Sequence, residues 1–379
     1  MDRDTAWGSA TALLFSFTLG VASLLLPVMA VDAGHNLVTV AALYGASSLI
    51  QVVLRPLLGV AVRYVSTKTL VQVGSAAQAV SLVVVLTSVS LVALAAAWAL
   101  QGIARSAFWT GIDTHGARSA LGASRALGHL HAWAGIGQLL GPIIAGVVSE
   151  RSVATTVVIG VVVAMLCAAT GAMLHSHDCP ARDALKAARR VWGSPGIGSS
   201  FSAGFSAGSW RGLMDSVIPV LLREAGQSFS AIGLAISLAN GLSIPGSAIV
   251  TRLRSTRPLR IAFVLSTLGT GLAVATVAIP MAPPALVYAA LSLGGLGSGV
   301  LQTLGPVLAA VAVDQSRTGE AIALQGMFRT FSLLSVPALA SSLAAVLPVT
   351  AALAVVGATI AVTARFGRNI ATGGPSGGP

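Results

Sequence analysis

Residues 26–36 read LPVMAVDAGHN, and residues 218–228 read IPVLLREAGQS. The proline, the first valine, the acidic residue, the alanine and the glycine coincide at a constant offset of 192 residues, and Gly102 falls on Gly294 at the same offset. Similarity at one fixed period across a whole chain indicates tandem copies of one structural unit. The sequence therefore predicts two homologous halves.

The composition requires a lipid environment. Of 379 residues, 55% are apolar and 9% are charged, whereas soluble domains carry about 25% charged residues. A helix needs roughly 20 apolar residues to cross a bilayer, so the length fits about twelve spans with short loops. Runs such as 82–94 and 153–166 lack the two-residue alternation of membrane β-barrels. We predict an all-α membrane protein with twelve transmembrane helices in two pseudo-symmetric six-helix bundles.

The apolar runs fall into two sets of six predicted spans. The first set covers 8–31, 37–60, 69–89, 91–113, 125–148 and 153–174, and the second covers 199–222, 229–250, 260–280, 285–312, 320–344 and 347–365. The predicted domains are an N-terminal six-helix bundle (1–174), a cytoplasmic linker (175–198), a C-terminal six-helix bundle (199–366) and a flexible cytoplasmic tail (367–379).

The net charge of +11 follows the predicted membrane topology. Of 22 Lys and Arg residues, 16 fall on one predicted side, namely Arg3, Arg63, Lys68, Arg118, Arg125, Arg182, Lys186, Arg189, Arg190, Arg252, Arg254, Arg257, Arg260, Arg317, Arg365 and Arg368. Arg151 and Arg223 fall on the opposite side. Because cytoplasmic loops carry an excess of positive residues, we predict a multi-pass protein of the inner or plasma membrane with both termini in the cytoplasm. The bilayer, and not a nucleic acid, is the expected partner of this charge.

The fifth predicted span contains a glycine-proline pattern, Gly135-Ile-Gly137-Gln-Leu-Leu-Gly141-Pro142. This pattern resembles the signature of the antiporter and efflux branch of the major facilitator superfamily, and the resemblance to that superfamily covers nearly the whole chain. It implies a twelve-helix transporter that works by alternating access. Physically, Gly137 and Gly141 form a small-xxx-small pair that allows close helix packing, and Pro142 locally weakens the backbone hydrogen bonding. Simple helix packing is the alternative interpretation.

Two other family patterns are altered. The stretch from Gly59 to Lys68 resembles the cytoplasmic gating loop, but Arg63 occupies the position of the expected aspartate. In the fourth span Gln101 and Gly102 fit the family pattern, whereas Trp98 replaces the expected arginine. A proton-relay role for this helix is therefore not carried over.

Charged residues inside spans are the best candidates for a functional site, because burying a charge at the membrane centre costs at least about 2.5–3.5 kcal/mol. Arg211 and Asp215 are four residues apart and so share one helical face. We predict that Asp215 carries the coupling proton and that Arg211 is its switchable partner or a substrate anchor. The nearby arginine favours the ionised carboxylate, so coupling would require the pair to separate. A permanent, structural ion pair is the alternative.

Arg105 and Arg329 lie in the fourth and eleventh predicted spans. A guanidinium is always charged and its fork suits carboxylate or phosphate, so both residues are predicted to bind substrate. Bonding to helix carbonyls or to neighbouring polar side chains is the alternative for each. Gln101, Gln138 and Trp210 complete the predicted substrate-binding set. Trp98, Trp133 and Trp210 are candidates for stacking surfaces in the cavity, and a packed position in the protein is the alternative for each.

A histidine group marks the cytoplasmic ends of the fourth and fifth spans: His129 and His131 follow Asp113 and His115 in the sequence. Since histidine titrates near neutral pH, these residues could form a proton entry path. An interfacial position without such a role is the alternative.

These features predict a secondary active transporter that exports a small organic solute by proton coupling, as a monomer. An organic-anion importer or exchanger that uses the buried arginines is the alternative. The sequence contains no nucleophile-base pair, metal-ligand cluster or phosphate-binding Gly-Lys-Ser/Thr loop, so we expect no enzymatic activity, no metal site and no cofactor.

Overall fold

The computed structural model describes residues 3–35, 37–119, 121–175, 191–215, 217–218, 229–253, 255–277, 283–344 and 346–370. In these ranges it contains twelve α-helices and no strand. They are α1 (Arg3–Asp32), α2 (Leu37–Ala61), α3 (Thr67–Thr87), α4 (Leu91–Ala117), α5 (Ala123–Ser149), α6 (Val153–Ala172), α7 (Ile197–Asp215), α8 (Phe229–Val250), α9 (Thr256–Val277), α10 (Pro284–Val311), α11 (Thr318–Ala344) and α12 (Val349–Val362). The predicted all-α fold is confirmed.

The helices occupy the predicted spans with small shifts at their ends. The largest differences are in α1, which begins at Arg3 and not at residue 8, and in α7, which ends at Asp215 whereas the predicted span ends at 222. Residues 219–228, most of the second copy of the repeated sequence, lie outside the described residues. Most of the predicted linker, 176–190, and the last nine residues of the tail lie outside them as well. A 3₁₀ segment, Thr363–Asn369, follows α12.

Within the described residues, ten helices are long and apolar enough to cross a membrane, and the described parts of α7 and α8 are not among the ten. The sequence of α7 is rich in serine and glycine, and nearly all of its residues are buried. It packs between α10 and α11. A helix that contacts protein on most sides does not need a lipid-compatible surface, which explains why α7 is so polar for a helix in this bundle.

The two halves repeat one packing pattern. In the N-terminal half, α1 packs on α5, α2 on α4, and α3 on α4 and α6. In the C-terminal half, α7 packs on α11, α8 on α10, and α9 on α10 and α12. Adding six to each helix number of the first half gives the packing pairs of the second half. The internal sequence similarity therefore corresponds to two pseudo-symmetric bundles.

The glycine of the repeated sequence ends a helix. Gly34 has φ +86°, a conformation that other residues rarely adopt. Just before and after it, the amide of Ala33 donates to the carbonyl of Met29 and the amide of His35 donates to that of Ala30, both at 3.0 Å. This arrangement terminates α1, as a left-handed glycine commonly does.

Close packing of α1 on α5 depends on the glycine pair of α5. A methyl group added at Gly137 would overlap the carbonyl oxygen of Leu13 and lie 2.8 Å from the amide nitrogen of Phe17. At Gly141 it would lie 3.0 Å from the α-carbon of Gly20. Gly135, in contrast, contacts Ile244 of α8 and so belongs to the interface between the halves.

The halves meet through α2 with α11 and α5 with α8, and further contacts join α4 and α5 to α10 and α11. We call the end of the bundle where α6 ends and α7 begins the linker side, and the opposite end the far side. On the linker side the Ser124 hydroxyl donates to the carbonyls of Val250 and Leu253, at 2.7 and 3.2 Å. These contacts close the linker side of the structure.

We predict that Gly137→Ala destabilises the protein by about 1–3 kcal/mol, because the new methyl group must displace the α1 backbone. Thermal unfolding of the purified protein measures the effect. Gly146→Ala is the matched control in the same helix, since its methyl group would meet nothing closer than a Leu24 side-chain carbon at 3.8 Å. Equal unfolding temperatures for the two variants would contradict this account of the interface.

Candidate functional site

A cavity lies at the interface of the halves, near the middle of the bundle. Its walls come from α1, α2, α4 and α7 and consist of Ala22, Ser23, Leu26, Tyr44, Ser47, Trp98, Gln101, Arg105 and Asp215. In this conformation the cavity volume is about 30 Å³, enough for about two water molecules and smaller than an organic solute. The wall combines aromatic and aliphatic surface with a small number of charged and polar groups.

The Arg211 guanidinium joins both halves. Its Nε donates to Asp215 Oδ2 at 2.9 Å, and one terminal nitrogen donates to Gln138 Oε1 at 2.8 Å and to Asn240 Oδ1 at 3.2 Å. The ion pair is largely buried, with side-chain exposures of 18% for Arg211 and 12% for Asp215. Gln138 belongs to α5, so this arginine is a polar contact between α7 and the N-terminal half.

Asp215 faces the cavity together with Tyr44 and Arg105. The Tyr44 hydroxyl lies 3.5 Å from Asp215 Oδ2 and is also next to Arg105. The buried Nε of Arg105 has no hydrogen-bond partner among the described residues. The cavity wall therefore contains one arginine, Arg105, and one carboxylate, Asp215, which is bonded to Arg211. Arg105 has unused hydrogen-bonding capacity.

Arg329 lies between the cavity and the linker side. Asp113 is the charged group that acts on it most strongly, followed by Arg211, Arg105 and Asp215. The backbone of Arg329 packs closely on Gly208 of α7. The predicted role as a direct substrate ligand does not match this position, because Arg329 is not among the residues lining the described cavity.

The remaining predicted substrate residues separate into two groups. Gln101 lines the cavity, and its amide nitrogen donates to the Ser81 hydroxyl at 3.1 Å. Trp210 is only 4% exposed and its ring covers Gly294 in the core of the C-terminal half. A stacking role for Trp210 does not fit this packing, and Trp98 provides the indole of the cavity wall instead.

Two site residues were not predicted from the sequence: Tyr44 and Asn240. Each is a polar residue within an apolar span. No other feature of the sequence distinguishes them. Their importance depends on contacts with α7, which a linear pattern does not contain.

The predicted gating residues lie on the linker side. Gly59 faces α11, where an added methyl group would lie 3.2 Å from the α-carbon of Glu320. Arg63 forms an ion pair with Glu320, and both side chains are mostly buried, at 7% and 13% exposure. Lys68 lies half-buried in the first turn of α3. The residue that replaces the expected aspartate thus makes an ion pair between the halves.

The predicted histidine group is divided among three environments. His131 Nε2 lies 3.1 Å from Asp113 Oδ1, with side-chain exposures of 0% and 7%. His115 Nε2 lies 2.9 Å from Asp4 Oδ2 at the start of α1. His129 is exposed. His131 and Asp113 are therefore buried within the bundle and not at the interface with water.

Two homologous six-helix bundles around a central polar cavity define a secondary transporter built from parallel repeats. The chain belongs to the Major Facilitator Superfamily, whose family model matches residues 8–332. No curated relative matches the sequence. Membership of the drug-efflux branch, the oligomeric state and the orientation in the membrane stay predictions.

Solved structures share the fold at low sequence identity. The human organic anion transporter MFSD10 (TETRAN) superposes with a TM-score of 0.77 at 14% identity, covering 96% of this chain and 99% of that chain. The E. coli fucose:proton symporter FucP, solved as a variant, gives 0.72 at 12% identity and covers 97% and 98%. FucP in the outward conformation gives 0.72 at 13% identity and covers 97% and 99%.

We expect the Arg211–Asp215 pair to show strong energetic coupling. Asp215→Asn leaves a buried guanidinium without its carboxylate, and Arg211→Gln leaves a buried carboxylate without its guanidinium, so each single variant should unfold at a lower temperature. The double variant should recover part of the loss, with a coupling energy of about 0.5–3 kcal/mol. Additive effects of the two substitutions would show that the pair contributes little to stability.

Charge reversal tests the contact between Arg63 and Glu320. Arg63→Glu or Glu320→Arg alone puts like charges together, so each should open the linker side. Alkylation of Thr114→Cys, a fully buried position beside Gly319, reports the opening in a background without native cysteines. The combined Arg63→Glu/Glu320→Arg variant should restore slow alkylation. Fast alkylation of the combined variant would indicate that the pair does not hold this side closed.

Proposed function

We propose that the protein is a proton-coupled transporter of small organic anions, which bind in the cavity beside Arg105. The observation that carries the proposal is Arg105 in the cavity wall: its Nε has no partner among the described residues, and the carboxylate of the same wall, Asp215, is already bonded to Arg211. One carboxylate on a substrate would balance the charge of Arg105. A fork of N–H donors is also the arrangement that binds carboxylates best.

The bonding of Arg211 supports a specific coupling scheme. Asp215 holds Arg211 through Nε, so an anionic substrate and Asp215 compete for one guanidinium. A proton on Asp215 weakens its hold and frees Arg211 for the substrate. Proton and anion then bind together, which favours transport of both in the same direction.

This scheme favours the organic-anion importer or exchanger over the export that the glycine-proline pattern predicts. Export against proton influx requires the proton and the solute to exclude each other, whereas here each assists the other. Export of a small organic solute is the second candidate. It is supported by the glycine-proline pattern from Gly135 to Pro142, which resembles that of efflux transporters and which packs α5 on both α1 and α8. The direction of proton-driven accumulation distinguishes the two.

The membrane orientation is part of the proposal. The linker side carries Arg63, Lys68, Arg118, Arg252 and Arg257, whereas Arg151 follows α5 on the far side. By the positive-inside rule, the linker side would face the cytoplasm. The cavity would then be closed toward the cytoplasm in this structure.

The test is flux into proteoliposomes with labelled aliphatic and aromatic carboxylates, each paired with its neutral amide. We expect the wild type to accumulate at least one carboxylate with an imposed proton gradient, and to ignore its amide. Arg105→Gln should weaken carboxylate uptake by about ten- to a hundredfold, because a hydrogen bond to a charged group contributes about 1.5–3 kcal/mol of binding free energy. Arg151→Gln, an exposed arginine outside the cavity, is the matched control.

Asp215→Asn separates coupling from binding. We expect it to abolish gradient-driven accumulation while carboxylate exchange at equal pH continues. Unchanged accumulation would exclude Asp215 as the proton carrier, and accumulation against the direction of proton flow would favour export. Equal transport of carboxylates and amides would contradict the anion proposal.

A further inference from the structure

A second buried acid lies away from the cavity. Arg105, Trp109 and Asp113 follow one another at four-residue spacing in α4 and therefore share a face. At 1.5 Å per residue, Asp113 is about 12 Å nearer to the linker side than Arg105. There its carboxylate meets His131, with Nε2 and Oδ1 3.1 Å apart. The proposed coupling scheme does not use this pair.

Two partners of His131 belong to its own half. Asp113 provides a carboxylate, and the Trp109 ring stacks on the imidazole with centroids 5.4 Å apart and planes 5° from parallel. A carboxylate and an aromatic face are both groups that a cation can contact. These groups are on α4, which stays with α5 if the halves move apart as rigid units. These two contacts of His131 would therefore persist when the halves separate.

The C-terminal half contributes partners of the opposite kind. The amide nitrogen of Gln302 in α10 lies 3.4 Å from His131 Nδ1. In this orientation Nδ1 can accept from the amide only while it carries no proton. Arg329 of α11 adds a positive charge, and Asp113 is the charged group that acts on it most strongly.

Arg55 connects the same region to α11. It is 5% exposed and also interacts electrostatically with Asp113 and Arg329. A methyl group added at Gly326 of α11 would lie 3.0 Å from the Arg55 guanidinium carbon. A protonated His131 would therefore be a third cation around one carboxylate. Repulsion between such charges is strong because little water screens them.

Other helices that pack on α5 add no opposing charge near the pair. Helices α6, α8 and α10 contain no Asp, Glu, Lys, Arg or His, and their titratable groups are Cys167 and Tyr288. Cys167 bonds to Ser75 and to the Thr11 carbonyl. In α1, Asp4 pairs with His115 of α4. Asp113 and Arg55 stay with His131 in the N-terminal half, whereas Gln302 and Arg329 belong to the C-terminal half, so closure of the linker side adds one amide donor and one cation to the surroundings of the pair.

We infer that the His131–Asp113 pair is a second proton-binding site, and that binding a proton there opens the linker side. The pair binds the proton when the halves are apart, and closure of the halves expels it. This site requires neither the anion in the cavity nor a proton on Asp215, so it is independent of the proposed function.

The experiment measures opening directly by pulsed electron paramagnetic resonance. Spin labels at Thr69→Cys and Ser255→Cys, two exposed linker-side positions in different halves, report the distance between the halves. Cys167→Ala and Cys179→Ser remove the native thiols. The protein is studied in lipid nanodiscs without any substrate, from pH about 8 to about 5.5, the range in which histidine titrates.

We expect acid to increase the long-distance population, with a limit of about tenfold per pH unit for one proton. His131→Gln should abolish this response. His129→Gln, which removes an exposed histidine two residues away, should leave the response unchanged. Asp113→Asn should weaken it, because the protonated ring loses its carboxylate.

Three outcomes would overturn the inference: no response to pH in the wild type, a full response in His131→Gln, or equal loss of response in His129→Gln. If the buried variants do not fold, the absence of a pH response in the wild type or its loss in His129→Gln would still overturn the inference. Failure of the carboxylate flux assay would leave this result untouched, since no substrate is present.

Discussion

Pairing of buried ions is the constraint on which the rest of the structure depends. Inside a bilayer no water is available to solvate a guanidinium, so each buried arginine must find a partner on another group. Arg211 satisfies three acceptors with two nitrogens, and one of those acceptors, Gln138, belongs to the other half. The need of the Arg211 guanidinium for hydrogen-bond acceptors thus produces a contact between the halves. Such a contact must break or change when the halves move, which makes it suited to coupling.

Glycine provides the complementary condition, because polar contacts between helices require close backbones. Gly137 and Gly141 bring α5 onto α1, while Gly59 and Gly319 bring α2 near α11. Without this approach Arg63 would not reach Glu320 as a buried pair. The structure thus uses rigid packing within each half and ion pairs between the halves. The first kind of contact persists during a rigid-body movement, and the second kind is exchanged.

The fold was predictable from the sequence, and the pairing was not. Apolar runs need only length and composition to identify a helix, so α2 and α8 begin at their predicted residues, Leu37 and Phe229. The Arg211–Asp215 pair was also accessible, since its partners are one turn apart. Tyr44, Asn240 and Glu320 were missed because their partners lie on other helices. Trp210 shows the reverse error: an aromatic in a polar helix was assigned to the cavity, although Gly294 leaves a slot for its ring in the core.

Arg329 connects the two sites that carry charge. It is subject to Asp113 on the linker side and also to Arg211, Arg105 and Asp215 around the cavity. In a medium of low dielectric constant, a charge added near one set of these groups changes the balance at the other over several ångströms. An anion in the cavity would attract Arg329 away from Asp113, whereas a proton on His131 would repel it. Both events would weaken the same electrostatic attraction between the halves, which is how the proposed anion and the proposed proton would act on the linker side through one arginine of α11.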